Sequence, residues 1–198
     1  MSGGIRRSIA KVGWKISKWE HVSTVVPEPG KPSILIGAPH TSNWDFILML
    51  GIAWELGIKV RFLGKDSLFK FPLGILMRAL GGIPVDRKRP YGLVEDLVKQ
   101  AKSDDSFVLV VTPEGTRGTG KYWKSGFYRI AMQTGVPITL GYVDRDTMTS
   151  GLGATFTPTG DVHADMDFVR DFYKDKSGLK PHLRTEPRLR EEDREARS

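Results

Sequence analysis

At 198 residues, with 39% hydrophobic and 27% charged side chains, the chain suits one compact domain with its own core. It has no cysteine, which excludes disulfides, a thiolate nucleophile and any cysteine-held metal, and which fits a reducing compartment. A formal net charge of +7 biases it toward an anionic partner: nucleic acid, an anionic membrane surface or a phosphorylated substrate.

Residues 1–24 read as a basic amphipathic helical segment. Ile5, Ile9, Val12, Ile16 and Trp19 recur at helical spacing and share one face. Arg6, Arg7, Lys11, Lys15 and Lys18 lie mostly off that face, and Trp14 and Trp19 suit a headgroup boundary. Two readings follow: a helix lying in the plane of an anionic membrane, or an ordinary helix packed on the core with a solvated basic side. No apolar stretch approaches the roughly 18 residues of a transmembrane helix. The N-terminus lacks the continuous apolar run of a signal peptide, so none is expected.

Residues 25–178 read as alternating strands and helices. After a turn at Pro27–Gly30, Ser33 to Gly37 is a buried strand, and a helix runs from about Trp44 to Leu56 with Gly57 as its C-cap. Val60 to Leu63 is a short strand, Pro72 to Leu80 a proline-started helix, and Gly81 to Val85 a glycine-flanked short strand. Tyr91 to Lys102 is an amphipathic helix, Phe107 to Val111 a buried strand, and Gly126 to Gln133 a helix. Val136 to Val143 and Ala154 to Thr157 follow as strands, and Asp165 to Lys176 as a helix with Phe168, Val169, Phe172 and Tyr173 inward. Residues 179–198, rich in charge and poor in apolar side chains, are expected to form a solvated or loosely docked tail. The alternation predicts an α/β fold: a central, mostly parallel sheet flanked by helices, preceded by the amphipathic helix.

Ligand sites in such sheets gather beyond the C-terminal ends of the strands. Three chemistry-bearing segments stand there. The first is His40–Asp45. Five helical steps would set these residues about 140° apart, so they cannot share one helix face. If His40 precedes the helix and Asp45 lies in its first turn, the loop can bend the imidazole onto the carboxylate, with Ser42 or Asn43 as the helix cap. That pair is a general-base arrangement; its bland alternative is a capping aspartate beside a histidine satisfied by backbone. The second segment, Gly82 to Arg87, delivers an arginine. The third, Pro113-Glu114-Gly115-Thr116-Arg117, places a carboxylate, a permissive glycine and a guanidinium in one turn. Arginine suits bidentate phosphate contact, and Lys88, Arg89, Lys121 and Lys124 add positive potential. The four histidines show no metal-ligand spacing, so no metal site is expected.

These blocks resemble the lysophosphatidate and glycerol-3-phosphate acyltransferases. His40 and Asp45 match the family's His-x4-Asp block, Gly82 to Arg87 its second block, and Pro113 to Arg117 its Pro-Glu-Gly-Thr/Ser-Arg block in full. Val136-Pro137-Ile138 matches the fourth in part. The chain departs at Leu140, where a second proline is usual, and at Ser67, where an acidic residue is often found.

The resemblance implies a glycerolphosphate-acyltransferase-like fold and transfer of a fatty acyl group from acyl-CoA or acyl carrier protein to a hydroxyl of a lysophospholipid, 1-acylglycerol-3-phosphate first. The alternatives are another acceptor, such as glycerol 3-phosphate, a glycolipid or an aminolipid, or a non-catalytic module binding anionic lipid. His40 and Asp45 are the implied catalytic pair. Arg87, Glu114, Gly115, Thr116, Arg117, Lys65 and Lys121 are the implied substrate-binding residues. Arg87 and Arg117 would clamp a phosphate, while Glu114 would take an acceptor hydroxyl or hold an arginine. No cofactor is expected beyond the acyl thioester co-substrate. A thiolate leaves near its ordinary pKa of about 8.5, so no strong general acid is needed. The oxyanion would find donors in backbone N–H groups near the helix start. Ser42 stands too close in sequence to His40 to face its imidazole easily, which favours direct transfer over an acyl-enzyme. The expected partners also include an anionic membrane surface, at the cytoplasmic face, and no nucleic acid, since the RNA-recognition aromatic signature is absent.

Overall fold

The structure is a computed structural model and describes residues 3–85 and 92–195. In chain order its first elements are α1 (Gly3–Ser17), β1 (Glu20–His21), β2 (Ser33–Ala38), α2 (Trp44–Leu56) and β3 (Arg61–Lys65). A 3-10 turn (Asp66–Phe69), α3 (Leu73–Ala79), β4 (Gly82–Val85), α4 (Leu93–Ser103) and β5 (Val108–Val111) follow. The chain closes with α5 (Gly126–Thr134), β6 (Ile138–Asp144), β7 (Thr149–Phe156), α6 (Val162–Tyr173), a second 3-10 turn (Pro181–Leu183) and α7 (Glu192–Glu195).

Among the described residues the strands form one seven-stranded sheet in the order β1-β7-β6-β2-β5-β3-β4. The pairings are parallel except β6 with β7. The expected α/β architecture is therefore present. β2 is buried on both faces, which accounts for its unbroken apolar run. Leu35 belongs to the smaller core beneath α2, the first 3-10 turn and α3, together with Ala53, Phe69 and Met77. Ile34 and Ile36 face α4, α5 and α6, where Leu97, Ile130, Met166 and Val169 close the larger core.

The structure narrows or alters the sequence reading in three places. The stripe of α1 does not pack on the core: Ile5, Ile9 and Val12 are exposed, and Ile16 is 76% exposed. The helix docks on α2 through Ala10 and Trp14, whose indole lies over Gly51; a Cβ there would stand 2.7 Å from Trp14 Cζ2. Trp19 falls beyond the helix end. In α6, Phe168 is exposed, and Val162 and Met166 take the inward places beside Val169 and Tyr173.

The third change concerns the charged C-terminal stretch, which is docked. Thr185 and Leu189 are buried. Trp123 N–H donates to the Arg188 carbonyl at 2.7 Å, and Gly120 N–H to Thr185 Oγ1 at 3.0 Å. Glu192 is buried against Arg170 at 2.7 Å and accepts the Leu189 N–H. The burial depends on a loop some sixty residues earlier, so local composition could not reveal it.

Candidate active site

β2 and β5 are neighbours, so the turns after them meet. The turn after β2 carries His40, and that after β5 carries Glu114. His40 Nδ1 lies 3.1 Å from Asp45 Oδ2. The same oxygen accepts the backbone N–H groups of Thr41 and Ser42, each at 2.8 Å. Asp45, 8% exposed, thus ties the turn to the first turn of α2. Asn43, the residue before the helix, makes no side-chain cap, and Ser42 Oγ accepts the Trp44 N–H at 3.3 Å. Of the two expected caps, Ser42 thus reaches the first helical N–H, while Asp45 secures the turn that precedes the helix through the Thr41 and Ser42 N–H groups. With Nδ1 donating to Asp45, His40 Nε2 is the proton acceptor left for a substrate.

The N–H groups of Thr41, Ser42 and Trp44 are all engaged within the turn. The N–H of His40 is engaged as well: it donates to Glu114 Oε1 at 3.0 Å. Glu114 is 3% exposed. Its other carboxylate oxygen is buried and takes no hydrogen bond among the described residues. Burial pushes the Glu114 carboxyl up to about 7, against the opposing pull of the His40 N–H. Glu114 therefore braces the histidine turn from inside through one carboxylate oxygen.

A second brace comes from outside. Lys180 N–H donates to Thr41 Oγ1 at 3.0 Å, and Gly178 packs so closely that a Cβ would stand 2.9 Å from Pro39 Cβ. Thr41 and Lys180 were not legible as site residues: their contact spans 139 positions.

His40 and Asp45 stand at the edge of a cavity of about 590 Å³ that runs between the sheet and α2. Its walls are mainly apolar: Phe46, Met49 and Ala53 from α2, Phe62 from β3, Leu68 and Met77 beyond it. Lys65, Gly115, Thr116 and Arg117 line it as well, beside His40. Gly115 has φ +68°, a conformation that favours glycine and lets Thr116 and Arg117 turn toward the cavity. Lys121 does not line it; its ammonium stands 5.0 Å from the centre of the Tyr122 ring. Arg87, with Lys88 and Arg89, lies outside the described residues. Among the described residues no group of three or more His, Asp or Glu side chains gathers as a metal site.

A histidine–carboxylate pair thus stands at the strand ends of a mostly parallel α/β sheet, on an apolar cavity that Lys65 and Arg117 also line. A family model described as Acyltransferase matches residues 15–139, and the chain belongs to that family. The fold is similar to that of the 1-acyl-sn-glycerophosphate (LPA) acyltransferase PlsC from Thermotoga maritima. The TM-score is 0.59 at 18% identity, covering 84% of this chain and 76% of that one. No curated protein matches.

Proposed function

We propose that the protein moves a fatty acyl group from an acyl thioester to a hydroxyl of a lysophospholipid, with 1-acylglycerol-3-phosphate the leading acceptor. The observation that carries the reading is the His40–Asp45 pair, 3.1 Å apart, at the edge of an apolar cavity sized for an aliphatic chain. His40 Nε2 takes the acceptor hydroxyl proton as its oxygen attacks the thioester carbonyl. The tetrahedral intermediate collapses, the C–S bond breaks, and the thiolate leaves with the proton that His40 carried. Asp45 keeps the imidazole in one tautomer and steadies its cation. Arg117 and Lys65, at the cavity, and Arg87 are the groups assigned to the acceptor phosphate.

The same reading makes the protein a peripheral membrane enzyme. One layer, α1 to α3, carries most of the large exposed apolar side chains, among them Ile9, Ile16, Trp44, Ile47, Ile75 and Phe71, which is 87% exposed. The opposite layer exposes Met132 and Phe168. No helix among the described residues is long and apolar enough to cross a membrane. A face of this kind suits contact with lipid.

The test is thiol release on mixing the protein with an acyl-CoA and lysophosphatidate, followed by extraction of the diacyl product. Release by wild type and its loss in His40→Ala is the expected result. No release across a panel of phosphate, glycolipid and aminolipid acceptors, or full activity in His40→Ala, overturns the reading.

A further inference from the structure

The loop after the Glu114 turn and the C-terminal stretch meet in a feature the catalytic pair does not use. Tyr122 is only half-buried, and three cations surround its ring. Lys121 Nζ lies 5.0 Å from the ring centre, Arg190 Cζ 5.6 Å and Arg188 Cζ 5.9 Å. One carboxylate, Asp193, stands among them: it accepts from the Tyr122 hydroxyl and pairs with Arg188. The groups on the ring thus remain net positive. Lys121 and Arg190 are exposed.

The cluster is held in place by the fold. Buried and exposed positions alternate along residues 185–190, with Thr185 and Leu189 inward and Arg188 and Arg190 outward beside the Tyr122 ring. The bond from Trp123 N–H to the Arg188 carbonyl fixes their register. At its near end the stretch is pinned to the catalytic turn through Lys180 and Thr41. On the other strand of the junction, Lys121 follows Arg117, which lines the cavity. Both segments that carry the cluster are therefore joined along the chain to residues of the histidine site, one through Arg117 and the other through Lys180.

We propose that Tyr122, Lys121, Arg188 and Arg190 bind the nucleotide end of a coenzyme A thioester, the phosphates on the cations and the purine on the ring. This rests on the acyl-transfer reading above and names its donor. Clustered phosphates on one small molecule match several cations gathered within 6 Å of one ring. The acidic helix of a carrier protein would instead call for cations spread along a stripe. An aromatic face adds stacking, which tolerates any purine and which a carrier protein cannot use.

The experiment compares an acyl-CoA with the acyl-pantetheine of the same chain, which keeps the thioester and lacks the nucleotide. Wild type favours acyl-CoA by at least about tenfold in kcat/KM, and adenosine 3′,5′-bisphosphate binds it and competes with acyl-CoA. In Lys121→Ala/Arg190→Ala the KM for acyl-CoA rises about tenfold, the preference over acyl-pantetheine shrinks, and bisphosphate binding is lost. Lys121→Arg/Arg190→Lys, which keeps both charges, retains the preference. Equal use of the two donors by wild type overturns the proposal, as does an unchanged donor ratio in the alanine variant. An effect confined to acyl carrier protein also overturns it and makes the cluster a protein-docking face. Absence of transfer from every donor defeats the acyl-transfer reading, while bisphosphate titration still reports on this site.

Discussion

Glu114 Oε1 accepts the backbone N–H of His40 at 3.0 Å, so the carboxylate of one motif holds the main chain of the other. Because burial raises the Glu114 carboxyl to about 7 from an ordinary 4.5, the folded protein binds a proton that the unfolded chain has lost. Between pH 4.5 and 7 the folded state holds more protons, so stability falls as pH rises through that window and stays lowered above it. The total is about 3 kcal/mol. Glu114→Gln keeps an acceptor oxygen for the His40 N–H and removes the titration. Urea melts of both proteins at pH 4.5, 6 and 8 are expected to show wild type losing stability relative to Glu114→Gln across the series. Parallel profiles contradict this account.

Asp45 Oδ2 serves His40, Thr41 and Ser42 together. Asp45→Asn can present its NH2 to the imidazole and favour the wrong tautomer. A fall in kcat of about 10³-fold or more is expected, with little change in KM for the thioester. Asp45→Ala also strands two backbone N–H groups in a largely buried turn and is expected to cost about 2 kcal/mol in a denaturant melt.

Thr41→Val is nearly isosteric but leaves the Lys180 N–H without its acceptor. A stability loss of about 1 kcal/mol is expected, with kcat reduced more than KM because the histidine turn loses its outer brace. Thr41→Ser keeps the hydroxyl and is expected to restore most of kcat. Equal effects of the two substitutions would assign the role to packing.

Ile9 and Ile16 are exposed on α1, so charges there disturb little packing. Ile9→Asp/Ile16→Asp is expected to change stability by no more than about 0.5 kcal/mol. Flotation with vesicles containing anionic lipid is expected to show markedly weaker binding by this variant. Unchanged flotation would remove α1 from the proposed membrane face.

Met49 lines the apolar cavity from α2. Met49→Trp fills part of that volume. With a series of acyl thioesters, the longest chain accepted is expected to shorten, at a stability cost of about 1–3 kcal/mol from overpacking. An unaltered chain-length profile would place the acyl chain elsewhere.

Much of the frame was written in local sequence. The apolar run of β2 reads as a strand buried on both faces, and the spacing of Leu97, Val98 and Ala101 as an inward helix face, because these patterns reflect neighbours close along the chain. His40 and Asp45 were legible as a pair because a turn and a helix start suffice to join them. The stripe of α1 was legible too, but not its outward orientation. That was decided by Trp14 seating on Gly51, a contact between two helices.

The sequence by itself determined an α/β chain with a base–carboxylate turn and a Pro-Glu-Gly-Thr-Arg turn at strand ends. Tertiary structure alone decided that Glu114 turns inward to hold His40 and that the charged C-terminal stretch docks on the histidine turn through Lys180 and Thr41. The reason is the range of the interactions. Periodicity and turn chemistry act over a few residues, whereas these hydrogen bonds join positions 74 and 139 apart that only the strand order and the closing of the chain bring within 3.0 Å.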